Sequence, residues 1–197
     1  TWRHRDHTSF SFYWWIMKNL KILDQNELKD WAKDLFAEHN FKMIDVSEKK
    51  ETYRKALATG RIIVGKETFD LIRTKQMPKG DPITLAEVAA VLGVKKTADI
   101  IPLCHPLPID HTATKITMNE SDYSLDVYCV VSAYAKTGVE MEAIMGVNTA
   151  LITIYDLSKI VNPDLKIEGI KLLVKQGGKS GLWLNPNGLP KFLADLF

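Results

Sequence analysis

The sequence predicts an α+β domain in which helices pack on an antiparallel sheet, and three stretches predict it. Residues 112–134, TATKITMNESDYSLDVYCVVSAY, alternate β-branched and aromatic residues on both sides of Asn119–Asp122, the pattern of two strands joined by a turn. Residues 84–93, TLAEVAAVLG, open with a capping box, Thr84 to Glu87, and close on Gly93, the marks of a helix with both ends signed. A small-residue apolar run from about 139 to 161, stopped by Asn162 and Pro163, reads as one long helix.

The other elements follow in order. Residues 1–41 read as an N-terminal appendage. They hold four of the five tryptophans, and six Lys/Arg balance six Asp/Glu. Within them a helix is expected at about 25–38, opened by the Asp24–Glu27 capping pattern, with Leu28, Trp31, Ala32, Leu35 and Phe36 on one face. The HRDH stretch there has metal-ligating residue types, but the commoner reading is a tag-like or disordered end. TYRKALATGRIIV (52–64) reads as an extended piece turning at Gly60, and KETFDLIRTK (66–75) as a short helix ended by Pro78 and Gly80. KIEGIKLLVK (166–175) reads as a strand that runs into the loop QGGKSG.

Composition excludes several classes. Apolar residues at 46% and charged residues at 25% suit a globular domain, and a net charge of +2 makes no case for nucleic acid or an anionic membrane. No apolar run reaches the roughly 18 residues of a spanning helix, and SFSFYWWIM is not read as a signal peptide. Two cysteines, Cys104 and Cys129, make no disulfide framework and suit free thiols in a reducing compartment, so a cytoplasmic protein is expected.

Three stretches carry residue types with chemistry. IIPLCHPLPID (100–110) holds Cys104 and His105 among prolines, in a stiff, extended segment. A buried loop with a hydrogen-bonded histidine and a ligand-facing histidine both remain open. Neighbours on an extended chain point to opposite faces, which disfavours a Cys–His nucleophile pair, and two scattered cysteines lack zinc-finger spacing. QGGKSG (176–181) offers glycine-freed amides and Lys179 to an oxyanion, without the spacing of a Walker loop; a flexible turn is the alternative. MPKGDP (77–82) sets Lys79 on a turn.

The long helix carries charge only at its ends: Glu140 and Glu142 at the head, Asp156 and Lys159 at the tail. Positions 142 and 156 lie about 40° apart around the axis but ~21 Å apart along it. Two antiparallel copies of the helix would bring the head of one beside the tail of the other. End-charge placement along the helix dipole explains the glutamates and Lys159 but not Asp156, so both readings stand on the sequence.

Taken together, KMIDVSEKKETYRKA, KGD, KKTADIIPLCHPL, KTGVEMEA, ITIYDLSK and LLVKQGGKSG, in this order, closely resemble the molybdenum cofactor biosynthesis protein C family, the cyclic pyranopterin monophosphate synthases. The resemblance covers about residues 42–182, leaving 183–197 as a C-terminal extension. It implies a ferredoxin-like fold and a hexamer, a trimer of dimers, with active sites at the dimer interface. It implies a lyase that converts a cyclised dihydro-GTP to cyclic pyranopterin monophosphate and releases pyrophosphate. No tightly bound cofactor is expected, Mg²⁺ coming only with the substrate triphosphate. Carried over by motif, Asp156, Lys159 and Lys79 are catalytic, and Leu103, Cys104, His105, Met141 and Glu142 bind substrate. Glu140, Lys95 and Lys179 match family positions without an assigned role. An idle nucleotide-binding scaffold and a zinc-dependent cyclohydrolase are the rival readings.

Overall fold

The computed structural model describes residues 41–179 and 181–194. The N-terminal helix expected at 25–38 and the HRDH stretch lie outside the described residues. The elements are β1 (Thr52–Ile63), α1 (Lys66–Arg73), α2 (Pro82–Lys95), α3 (Thr97–Ile100), β2 (His111–Asn119), β3 (Ser124–Ala135), α4 (Glu140–Ser158), β4 (Lys166–Gln176), β5 (Leu182–Leu184) and α5 (Lys191–Ala194). All strand pairs are antiparallel, in the order β2-β3-β1-β4-β5. The first four strands and the helices between them make the split β-α-β order of ferredoxin-like folds. The expected α+β class therefore holds.

Strand alternation decides which face is covered. Ala56, Ala58 and Ile62 of β1 and Leu125, Val127, Cys129 and Val131 of β3 point to one face, where α2 and α4 pack side by side. Leu151 and Ile154 of α4 and Ala86, Ala90 and Val94 of α2 close that core. The other face carries a smaller cluster of Tyr128, Leu173 and Val174, covered in part by Leu193 of α5. Asn185 pins the tail to β4 through its amide and side chain, which donate to the Leu173 and Leu172 carbonyls at 2.8 and 2.7 Å.

Three sequence expectations change, and packing is the reason for the first two. Gly60 makes no turn: β1 runs straight through it, paired to β3 without a break. A Cβ there would lie 2.8 Å from both Val147 and Leu151, so glycine is what lets α4 settle on β1. Nor does Gly93 end α2, which continues to Lys95; its missing side chain makes room for Thr149 of α4. The start of α2 also differs from the expected Thr84–Glu87 box. Asp81 is the N-cap, accepting from the amides of Ile83 and Thr84 at 3.0 and 3.5 Å, with Pro82 in the first turn. Among the described residues no helix is long and apolar enough to cross a membrane.

Candidate active site

At the head of α4 the segment 101–110 turns at Ile101–Cys104, where the Cys104 amide donates to the Ile101 carbonyl at 3.1 Å. It is then pinned to β3 by Asp110, whose amide donates to the Ser132 carbonyl at 3.1 Å. Its carboxylate accepts the Tyr134 amide at 2.8 Å. These ties hold Leu103, Cys104 and His105 against Met141 and Glu142, around a cavity of about 250 Å³. The expected binding residues of both stretches thus meet in one place. His105 Nε2 lies 2.8 Å from the Ile44 carbonyl, which can only accept, so that nitrogen carries a hydrogen.

Glu142 is 4% exposed, unusual for a carboxylate. Burial pushes its pKa up, offset in part by its own backbone amide, and nearby Glu140 adds to the rise. Burial also pushes the Cys104 thiol up, helped by the Glu142 charge, so this sulfur is a poor thiolate.

A second, basic cavity of about 850 Å³ adjoins the first, and the two share Lys49, Thr137, Gly138 and Glu140. Lys50, Arg54, Lys55, Lys136, Lys175 and Lys179 line much of the rest, with Glu48 as the only further acid among the described residues of its lining. Glu140 is taken up by Lys175 at 3.1 Å. The loop after β4 depends on glycine: Gly177 has φ +109°, and a side chain there would run into the Tyr53 carbonyl. Its amide donates to the Gly181 carbonyl at 3.0 Å. A glycine turn beside clustered lysines suits an oxyanion, chiefly through the lysines, because the Gly177 and Gly181 amides are bonded within the loop.

The tail of α4 holds a different cluster. Lys159 Nζ sits 2.7 Å from Asp156 Oδ1, and Lys79 Nζ lies 3.5 Å from Oδ2 and 3.3 Å from the Asp156 carbonyl. Lys159 first, then Lys79, hold the Asp156 carboxyl below the usual aspartate range, and Asp156 in turn raises Lys159. The two lysines offset the unfavourable place of an acid at a helix C-terminus. Lys79 reaches them because the Met77–Gly80 turn is closed by a Gly80 amide to Met77 carbonyl bond of 3.2 Å and is anchored on buried Met77.

One chain therefore assembles two clusters and does not bring them together, since 14 helical residues separate Glu142 from Asp156, ~21 Å along α4. Between them α4 turns Met145, Asn148 and Ile152 outward, and α2 leaves Leu85, Val88 and Leu92 exposed. Lys95 stands exposed in the last turn of α2, and Lys179 lines the basic cavity. Sequence reading missed Lys49, Arg54, Lys136 and Lys175. A signal was present for Lys49 and Arg54 in SEKKETYRK, where basic residues cluster at the start of β1, but Lys136 and Lys175 stand singly at the ends of β3 and β4. Among the described residues no three His, Cys, Asp or Glu side chains converge as metal ligands.

Comparison with known proteins adds the lineage. The model of the MoaC family matches residues 43–178. The cyclic pyranopterin monophosphate synthase of Thermomicrobium roseum is 43% identical over 142 residues, 72% of this chain and 86% of its own. The one from Cereibacter sphaeroides is 45% identical over 139 residues, 71% of this chain and 87% of its own. The mitochondrial protein of that name from Arabidopsis thaliana is 43% identical over 141 residues, 72% of this chain and 52% of its own. The clusters at the two ends of α4 fall within the matched span, and the chain belongs to the MoaC family.

Proposed function

We propose that this chain is a cyclic pyranopterin monophosphate synthase of molybdenum cofactor biosynthesis. It converts (8S)-3',8-cyclo-7,8-dihydroguanosine 5'-triphosphate to cyclic pyranopterin monophosphate and pyrophosphate. The observation that carries this reading is a cavity of about 250 Å³ that shares four lining residues with a lysine-lined one beside it. A nucleoside-sized pocket beside an anion-binding groove suits a nucleoside triphosphate. Names borne by relatives at 43–45% identity support the same product.

The reaction opens one ring, builds another and closes a cyclic phosphate, so protons are taken and returned several times. In this reading Asp156, kept anionic by its lysines, is the base, and Lys159 and Lys79 are the donors. Leu103, Cys104, His105, Met141 and Glu142 bind the nucleoside part. The basic groove takes the triphosphate, which brings Mg²⁺ with it from solution, and its lysines and amides offset the charge on departing pyrophosphate.

The ~21 Å between the clusters supports a site completed by a second copy. Antiparallel pairing across the outward faces of α2 and α4 would cover Leu85, Val88, Leu92 and Ile152 and bring Asp156 of one copy to the cavity of the other. Three such dimers would make the hexamer. The free thiols Cys104 and Cys129 suit the cytoplasm. Incubating the protein with the cyclised dihydro-GTP, then measuring pyrophosphate and the pterin product, tests the reading. Absence of both from a folded oligomer would reject it.

A further inference from the structure

Four residues form the wall shared by the nucleoside cavity and the basic groove, and Lys49 is the cation among them. Glu140, the acid in that wall, is already held by Lys175 at 3.1 Å. Lys49 rides on a segment outside any helix or strand, residues 43–51. The backbone before it is fastened at two points by side chains of the site itself. His105 Nε2 meets the Ile44 carbonyl at 2.8 Å, and Lys136 Nζ donates to the Ser47 carbonyl at 3.1 Å. A local turn completes the hold, with the Ser47 amide donating to Asp45 Oδ1 at 2.8 Å and the Lys49 amide to the Val46 carbonyl at 3.1 Å. The body of the protein thus fixes where Lys49 stands.

The chemistry makes that place specific. The reaction keeps one phosphate and expels two. A substrate whose nucleoside part fills the first cavity and whose phosphates run into the groove sets its sugar-linked phosphate at the shared wall. The departing pair then lies deeper, near Lys136, Lys175 and Lys179. We propose that Lys49 binds the retained phosphate at this wall and stabilises it as the cyclic phosphate closes. In that step a hydroxyl oxygen of the sugar-derived part bonds to the phosphorus. The bond from phosphorus to the bridging oxygen breaks, and its electron pair leaves with pyrophosphate. The hydroxyl proton passes to Asp156 of the second copy. The Lys49 ammonium faces the non-bridging oxygens, where negative charge concentrates in the transition state, so its contribution falls on turnover more than on binding.

The inference rests on the synthase reading, and one experiment separates the two. Pyrophosphate release is measured for wild type, Lys49→Met and Lys49→Arg, on the cyclised dihydro-GTP and on the two diastereomers of its α-thio analogue. Lys49→Met is expected to lower kcat by about 10²-fold with a smaller change in KM, and Lys49→Arg to restore most of it. Wild type is expected to distinguish the diastereomers, and Lys49→Met to lose the distinction, because sulfur then replaces an oxygen that no cation reads. A folded Lys49→Met with kcat within about threefold of wild type overturns the inference. So does a slow Lys49→Met that keeps the full distinction, since its defect then lies elsewhere. An active wild type with either result leaves the synthase reading standing. A wild type that releases no pyrophosphate overturns both.

Discussion

Lys79 and Asp156, 77 residues apart in sequence, meet at the tail of α4, with Nζ 3.5 Å from Oδ2 and 3.3 Å from the backbone oxygen of the same residue. The lysine touches both the carboxylate and the helix end that carries it. It serves the charge of Asp156 and the position of its loop together.

Lys79→Ala, Asp156→Ala and Lys159→Ala are each expected to lower turnover by about 10²–10⁴-fold while circular dichroism stays that of the wild type. All three side chains are substantially exposed, so their loss leaves the core intact. Turnover close to normal in any folded one of them would take that residue out of the mechanism.

The ion pair makes a separate prediction about protonation. Lys159 is the largest cause of the depressed Asp156 pKa. Replacing it by methionine should move the carboxyl midpoint, followed by NMR, upward toward the ordinary aspartate range. Lys79→Met should move it in the same direction by less. An Asp156 midpoint indifferent to Lys159 would mean the 2.7 Å contact does not persist in solution.

Glu142 has the opposite sign. Burial raises its pKa in the folded state, so the folded chain holds this proton more tightly than the unfolded one. Its contribution to stability is then fully present below the unfolded pKa and is lost as pH rises through the folded one. Glu142→Gln should therefore gain stability relative to wild type at pH 7.5 and lose that advantage near pH 4, read by urea unfolding at the two values. An equal difference at both would assign the effect to shape rather than charge.

Mixing inactive chains tests the two-copy site. Glu142→Ala and Asp156→Ala, each folded and inactive alone, should regain about a quarter of wild-type activity after subunit exchange. Half of randomly formed dimers are mixed, and in each mixed dimer one site carries neither defect. Verified exchange without activity would place the whole site in one chain.

Gly60→Ala places a methyl group 2.8 Å from Val147 and Leu151 and 2.9 Å from Ile170. Overpacking of this kind costs about 1–3 kcal/mol, to be seen as a lower urea midpoint. An unchanged midpoint would show that α4 can lift from β1 freely.

The strands and long helices were legible because their signals are local: β-branched alternation for β2 and β3, a small-residue run for α4. Gly60 and Gly93 were misread for the same reason. Within its own neighbourhood a glycine looks like punctuation, and only the partner helix shows that it is a point of contact. The motifs marked Cys104, His105, Met141 and Glu142 through family resemblance, but their convergence depends on Asp110 fastening one loop to β3. The reach of Lys79 to Asp156 had no sequence signal beyond a lysine on a turn. The groove lysines were hidden in runs that elsewhere are solvated surface.

The nineteen residues of α4 carry one chemistry at each end, and that length is a fixed dimension of the protein. One residue inserted between Gly146 and Ala150 would swing everything beyond it by about 100° and push it on by ~1.5 Å. Asp156 would leave the outward side, while the buried register against β1 would hold on one side of the insertion only. The helix acts as a gauge rod, and changes of length can accumulate in the loops and the tail but not along it.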